Sequence, residues 1–333
     1  VDWSRLPLAR ATVDRAAHRR TEPDLLSRAW AAPTTRVLLL SGGRLLARGE
    51  DVPGNPRPSV ALDLRSPEQL HDVLGHALPS APGVLVVFLG EGPQGEAYLA
   101  CAFDDARGAS VGLEGFPDAG GPVDLAVEGS RWVVLRDVGH ALDDHDAGLA
   151  AAAVGLTAWH ERHPRCARCG APTVPAQAGW VRTCTADGSD HYPRTDPAVI
   201  MAVVDDAERL LLGHAVAWPE RRFSTLAGYV EPGESLESAV RREVAEEVGV
   251  VIGDVSYRGS QTWPFPASLM VAYVAQALST EITVDGVEVT DARWFTRAAL
   301  AEAVASGEVL LPMRTSVARA LIEEWFGGTL GDA

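Results

Sequence analysis

Residues Gly228 to Val250 place four carboxylates, Glu234, Glu243, Glu246 and Glu247, at fixed spacing around a turn and one helix. Leu236, Val240, Val244 and Val248 recur every four residues and form an apolar stripe able to pack on a core. Glu243, Glu246 and Glu247 share another face, because i, i+3 and i+4 are neighbours on a helix. Three carboxylates so crowded repel one another. Hard divalent cations such as Mg²⁺ or Mn²⁺ relieve that repulsion, since they take oxygen ligands and are often shared with substrate phosphates. Glu-rich helical faces are usually only solvated surface, but the fixed spacing of the whole segment argues against that reading here.

The segment reads Gly, five residues, Glu, seven residues, then Arg-Glu-apolar-any-Glu-Glu-any-Gly-apolar. Gly228, Glu234, Arg242, Glu243, Val244, Glu246, Glu247, Gly249 and Val250 fit that pattern without a gap, and the chain thereby resembles the Nudix hydrolases. The resemblance implies cleavage of a nucleoside diphosphate linked to another moiety, with Glu243, Glu246 and Glu247 holding metal against a pyrophosphate while water attacks phosphorus. Glu247 is the expected base and Glu243 and Glu246 mainly ligands. Gly228 is expected to contribute at the metal, and Arg242 is expected to pair with Glu234 and brace the loop, as that pair does in the family. Gly249 suits a helix C-terminal stop.

The formal charge of −16, from 45 acidic and 29 basic residues, argues against binding long nucleic acid by phosphate neutralisation. It leaves room for recognition of one nucleotide end in a metal-lined pocket. No apolar run reaches the roughly 20 residues that span a bilayer; Leu149 to Trp159 is too short. The N-terminal residues show no basic region followed by an apolar run. Four cysteines, three of them clustered, suit metal binding in a reducing compartment better than a disulfide framework, so the cytoplasm is expected.

The first third reads as β-rich, with short apolar runs starting at Arg36, Arg44, Gly83 and Ala97 between turn-forming residues. The lone Cys101 in the last run is expected in the core. No catalytic constellation precedes His160, and a Nudix-like strand pattern lacking the box is compatible with this region. An Ala-rich stretch from Asp143 to His160 reads as a helix leading into the next unit, with His160 and His163 expected at its surface. Then follow Cys166-Ala-Arg-Cys169-Gly and Cys184, the beginning of a zinc ribbon. Its second Cys-x-x-Cys is broken, because Asp187 stands in the last position. Zinc accepts Cys₃His readily and Asp less often, so Cys166, Cys169, Cys184 and His191 are the expected ligands, with Asp187 or a metal-free ribbon as alternatives. The expected organisation is an N-terminal α+β domain over residues 1–160, a zinc ribbon over 161–195 and a catalytic α/β/α sandwich on a mixed sheet over 196–333. Strands are expected near Ala198 to Val204, Arg209 to His214, Leu269 to Ala275 and Trp294-Phe295, with a terminal helix around Val317 to Trp325.

Ten residues beyond the box stands Ser260-Gln-Thr-Trp-Pro-Phe-Pro-Ala-Ser-Leu-Met270, a stiff segment expected to form a loop and hold ring faces in place. It resembles the Ser-Gln-Pro-Trp-Pro-Phe-Pro-x-Ser signature of the NADH pyrophosphatases, a Nudix family that also carries a zinc ribbon before its catalytic domain. Thr262 replaces the first proline of that signature. The resemblance implies stacking of the nucleotide on Tyr229, an aromatic given by Tyr192 to the partner subunit of a homodimer, and an extra metal or water contact at Glu288. It further implies a substrate pocket including Gln261, Trp263, Phe265, Ser268 and Ala318. The implied activity is hydrolysis of NAD(H) to nicotinamide mononucleotide and AMP, and removal of NAD caps from RNA 5′ ends. Hydrolysis of ADP-ribose, dinucleoside polyphosphates or coenzyme A is the alternative kept open by Thr262. A non-catalytic nucleotide-sensing zinc-ribbon protein is the alternative of another class, disfavoured by the intact box.

Overall fold

The computed structural model describes residues 1–50, 59–74, 83–103 and 129–331 of the chain; part of the expected first domain therefore lies outside the described residues. The chain divides into two compact units. One contains Arg10–Arg194 with Pro264–Ala267, and the other Val1–Ala9, Thr195–Trp263 and Ser268–Ala333.

In the former unit, helix α1 (Leu25–Ala31) precedes strands β1 (Arg36–Ser41), β2 (Arg44–Gly49) and β3 (Val60–Leu62). Helix α2 (Pro67–Leu74), β4 (Val84–Glu91), β5 (Ala97–Phe103) and β6 (Ser130–Val134) follow. The apolar runs at Arg36, Arg44, Gly83 and Ala97 thus become strands, and Cys101 is fully buried among Val37, Leu39 and Leu99. Strand β1 pairs antiparallel with β2 and parallel with β5; β4 joins β5, and β6 joins β2.

Helix α3 (Asp144–Arg162) is capped by Asp143, whose carboxylate accepts from the Asp146 amide. It leads into a three-stranded ribbon of β7 (Thr173–Ala176), β8 (Val181–Cys184) and β9 (Asp190–His191). His160 is buried, not at the surface. One imidazole nitrogen bonds the Gly179 carbonyl at 2.8 Å and the other lies 2.8 Å from the Arg182 guanidinium. Arg182 also donates to the Thr173 hydroxyl and carbonyl, so one buried cation ties the helix to the ribbon. His163 is half-buried and bonds the Trp159 carbonyl.

The remaining unit holds β10 (Asp196–Val204), β11 (Leu210–Ala215), β12 (Leu226–Tyr229), α4 (Leu236–Val248), β13 (Ile252–Trp263), β14 (Ser268–Ala277) and β15 (Val289–Phe295). Helices α5 (Arg297–Ala305) and α6 (Val317–Phe326) close it. The sheet order is β13-β14-β10-β11-β15, with β12 added on β10. Alternate side chains of β10 leave on opposite faces. Val199, Met201 and Val203 pack with Val240, Val244 and Val248 of α4. Ile200 and Ala202 pack with Leu321, Ile322 and Trp325 of α6. The result is a helix–sheet–helix sandwich. Burying each of these valines and leucines contributes about 1.5–3 kcal/mol, which fixes α4 on the sheet and its glutamates beside the end of β12.

The two six-stranded sheets share four pairings. In each, the first strand is antiparallel to the second and parallel to the fifth or its counterpart β14. That strand is antiparallel to its predecessor, and the last strand joins the second. Only the short third strand differs, lying on β2 in one sheet and β12 on β10 in the other. No helix among the described residues is long and apolar enough to cross a membrane.

Candidate active site and ribbon

Helix α4 begins at Ser235, whose hydroxyl accepts from the Ser238 amide, and ends at Gly249 with φ 71°. That left-handed value favours glycine and stops the helix. The box thus becomes a loop and a helix with defined ends. Arg242 organises both. Its guanidinium reaches Glu234 at 2.6 and 3.1 Å and the Tyr229 carbonyl at 2.9 Å. One of its nitrogens also lies 2.9 Å from both Glu243 and Glu246. The expected brace to Glu234 is present, and Arg242 additionally supplies countercharge to two of the box carboxylates. Gly228 lies on β12 against the helix, where a Cβ would overlap the Glu243 carboxylate. Only glycine permits this close approach of strand and carboxylate.

Glu247 differs from the other box glutamates. It is buried, and its Oε2 has no hydrogen-bond partner. Burial, followed by the charges of Glu243 and Glu288, pushes its carboxyl up to about 8. Burial also raises Glu243, with Arg242 opposing it. Glu288 reaches this region through a local turn. The Asp285 carboxylate accepts the Glu288 and Val289 amides at 2.9 Å, and the Asp285 amide donates to the Glu247 carbonyl at 3.1 Å.

Glu247 and Glu288 border a cavity of about 270 Å³ that is also lined by Trp218, Trp263, Met270 and Ala318. The structure therefore brings Trp263, Ala318, Glu247 and Glu288 to one cleft. Tyr229 is 57% exposed, and its hydroxyl lies 3.2 Å from that of the buried Ser268. Trp218, in the loop after β11, escapes sequence reading. Its signal was an aromatic next to Pro219 between two strands, a context shared by many structural corners.

Among the expected substrate residues, Gln261 lies in the core. Gln261 is fully buried, and its amide nitrogen donates to the carbonyls of Pro7 and Thr315 while its oxygen accepts from the Val317 amide. Its hydrogen bonds anchor the start of α6, so it is a brace in the core and does not line the cleft. Phe265 and the 65%-exposed Tyr192 belong to the other compact unit. The loop expected from Ser260 onward is strand as far as Trp263, paired with β14 on the sheet edge. An edge strand tolerates the prolines that follow.

In the ribbon, Cys166, Cys169, Cys184 and Asp187 gather their ligand atoms within 4.8 Å of one another. Asp187, not His191, joins the three thiols. The short turn after Cys184 returns Asp187 to the knuckle, whereas His191 lies on β9, paired across from Arg182. Backbone amides of Arg168 and Ala186 point at the Cys166 and Cys184 sulfurs at 3.4 Å. Hydrogen bonds from the Ser189 hydroxyl and amide hold the Asp187 carboxyl well below its usual range, so it is an anionic oxygen donor. Three sulfurs and one carboxylate fit a tetrahedral zinc ion. Among the described residues the box carboxylates do not gather as the ribbon ligands do, since Arg242 holds Glu243 and Glu246, but the unpartnered buried oxygen of Glu247 is a donor of the kind a hard divalent cation takes.

Comparison with known proteins agrees with this geometry. The NUDIX domain family matches residues 194–313, so the cleft and α4 belong to a Nudix domain. The NADH pyrophosphatase zinc ribbon domain matches residues 161–192, and the NADH pyrophosphatase-like rudimentary NUDIX domain matches 34–159. The three matches follow one another along the chain in the order rudimentary NUDIX domain, zinc ribbon and NUDIX domain. The doubled strand pairing is the structural counterpart of the rudimentary domain.

The NAD-capped RNA hydrolase NudC of Mycobacterium tuberculosis (strain ATCC 25618 / H37Rv) is 45% identical over 202 residues, 58% of this chain and 64% of that protein. The NAD-capped RNA hydrolase NUDT12 of Homo sapiens is 41% identical over 196 residues, 55% of this chain and 42% of that protein. The chain thus spans less than two thirds of the length of these relatives. The crystal structure of a NUDIX hydrolase from Nitrosomonas europaea shares 18% identity, covering 50% of this chain and 94% of that one at a TM-score of 0.38.

Proposed function

We propose that the chain hydrolyses the pyrophosphate bond of NAD(H), giving nicotinamide mononucleotide and AMP, and removes NAD caps from RNA 5′ ends. The observation that carries this reading is the unpartnered, buried Glu247 oxygen in an intact box, beside a cleft bordered by two tryptophans. The relatives' names, NAD-capped RNA hydrolase, support the substrate class.

Glu243, Glu246, Glu247 and Glu288 would hold Mg²⁺ or Mn²⁺, which when bound neutralises pyrophosphate charge and acidifies water. Glu247 holds or takes the water proton, since it has no competing hydrogen bond at Oε2. Arg242 keeps Glu234 and the box loop in place. Tyr229 offers a ring face to a planar base, with Ser268 fixing its hydroxyl. Trp263 and Ala318 shape the cleft wall. Tyr192 would act across a homodimer interface, and the ribbon would carry structural zinc on Cys166, Cys169, Cys184 and Asp187. Free thiols in that set suit a reducing, cytoplasmic setting.

The test is turnover of NADH with Mg²⁺ or Mn²⁺, with separation of the two mononucleotide products, and release of nicotinamide mononucleotide from NAD-capped RNA. A higher kcat/KM for ADP-ribose than for NADH would replace this assignment with the ADP-ribose reading.

A further inference from the structure

The unit formed by Arg10–Arg194 with Pro264–Ala267 holds a second cluster whose chemistry the hydrolytic reading does not use. The Arg20 guanidinium carbon lies 3.5 Å from the centre of the Trp180 ring, and that of Arg15 lies 5.9 Å from it. The indole N–H donates to the Phe88 carbonyl at 2.7 Å, so the ring is fixed and offers only its face. Among the described residues neither arginine forms an ion pair with a carboxylate. Arg20 donates to the Arg15 carbonyl at 3.3 Å, while its Nε is buried without a partner. Burial and the neighbouring Arg15 charge lower the Arg20 pKa, the signature of two cations held together without an anion.

The surroundings are built rather than incidental. An open cleft of about 360 Å³ is bordered by Arg20, Thr21, Glu22 and Gln177. The one carboxylate there, Glu22, is engaged by Arg19 and Arg28. On the ribbon side, Gln177, Ala178 and Gly179 have φ of 46°, 51° and 90°. Two of these are non-glycine residues in the left-handed region, an arrangement that persists only where the surroundings impose it and that clusters at ligand sites. His160 holds this turn through the Gly179 carbonyl.

We propose that Arg15 and Arg20, stacked on Trp180, bind a phosphate group of a nucleotide or of single-stranded RNA. The exposed Arg15 guanidinium offers its edge donors for bidentate phosphate recognition, and Arg20, with its Nε buried and one terminal nitrogen held by the Arg15 carbonyl, supplies the neighbouring charge. A phosphate dianion, or two successive phosphodiesters, matches two cations, whereas a single carboxylate leaves one uncompensated. On a chain of net charge −16, the segment from Arg10 to Arg20 that carries this pair holds four arginines and a single acidic residue. The site is independent of the hydrolytic reading, since it needs neither the box nor a divalent cation.

The experiment uses the full chain without added divalent metal and two probes, a 5′-hydroxyl single-stranded RNA decamer and inorganic phosphate. Affinities are measured between about 50 and 200 mM salt for the wild type, Arg15→Ala, Arg15→Glu and Arg20→Gln. Arg15 is exposed, so its variants test the site without disturbing the core. The expected result is a roughly tenfold loss of affinity for the bound probe in Arg15→Ala and a larger loss in Arg15→Glu. For RNA, the slope of log K against log salt should also shrink by about 0.7 per arginine removed. Loss confined to RNA identifies phosphodiesters as the ligand, and loss confined to inorganic phosphate identifies a free phosphate group. Either supports the site. Affinities and slopes for both probes unchanged in Arg15→Glu, at wild-type melting temperature, would overturn it and leave the stack as a structural clamp. So would failure of the wild type to bind either probe. NADH turnover is read in parallel and is expected to be unchanged in Arg15→Ala, which separates this proposal from the fate of the hydrolytic one.

Discussion

The Arg242 guanidinium lies 2.6 Å from one oxygen of Glu234 and 3.1 Å from the other, tying the loop of the box to the helix that follows it. The same guanidinium faces Glu243 and Glu246 and lowers the cost of keeping them ionised. Replacing Arg242 by alanine should therefore raise the Glu243 carboxyl further above its ordinary value. The acid limb of the kcat/KM profile for NADH should move to higher pH, and Mn²⁺ affinity at pH 7 should fall. An unmoved acid limb would show that Arg242 acts on the loop alone.

Glu247→Gln preserves the shape of the side chain and removes its ability to ionise. Turnover should fall by at least ~10²-fold, as expected for loss of a metal ligand or general base. Circular dichroism should stay native, because the neighbouring Val240, Val244 and Val248 are untouched. Near-normal turnover in this variant would remove the box from the chemistry.

The ribbon makes a prediction about metal content. Purified chain should carry one zinc ion, and Cys166→Ser should lose it and destabilise the ribbon, since metal binding and local folding are coupled. Because Asp187 sits with the thiols, Asp187→Ala should lose zinc and His191→Ala should retain it. The reverse pattern by elemental analysis would restore the histidine as fourth ligand.

His160 ties stability to pH. Burial, opposed by its bond to Gly179, lowers its pKa from 6.5 to about 4 in the folded chain. As pH falls, the unfolded chain takes up this proton first. The contribution of this site is complete above about pH 6.5 and is lost towards pH 4, by no more than about 3 kcal/mol. His160→Gln, neutral throughout, should melt below the wild type at pH 7.5 and converge with it near pH 4.5.

Tyr229 tests the base contact. Stacking contributes about 1–3 kcal/mol, so Tyr229→Ala should lower kcat/KM for NADH roughly ten- to a hundredfold. Tyr229→Phe, which loses only the 3.2 Å contact to Ser268, should lower it far less. Equal losses in the two variants would assign the effect to the hydroxyl.

What the sequence disclosed was local. The four-residue apolar stripe located α4, and Gly249 its end, because both depend on neighbours a turn away. The short apolar runs at Arg36, Arg44, Gly83 and Ala97 located four strands for the same reason. What escaped depends on distant partners. Gln261 stands in a motif that suggested ligand contact, but its donors meet Pro7, 254 residues away, and Thr315. His160 resembled a helix-end surface residue until Gly179 and Arg182 folded over it. Asp187 ranked below His191 as a zinc ligand because ligand preference favours imidazole, while the path of the turn after Cys184 favours Asp187. Trp218 had no periodicity to mark it.

The shared pairing order of the two sheets means that this chain contains its own control. Strands β1, β2, β4, β5 and β6 repeat the connectivity of β10, β11, β13, β14 and β15. Yet the helix between the third and fourth strands, α2, reads Pro-Glu-Gln-Leu-His-Asp-Val-Leu and bears no counterpart of the glutamate triplet. Scaffold and chemistry have thus come apart within a single polypeptide. The architecture persists where the carboxylates are missing, so the glutamate triplet contributes nothing the sheet requires in order to fold.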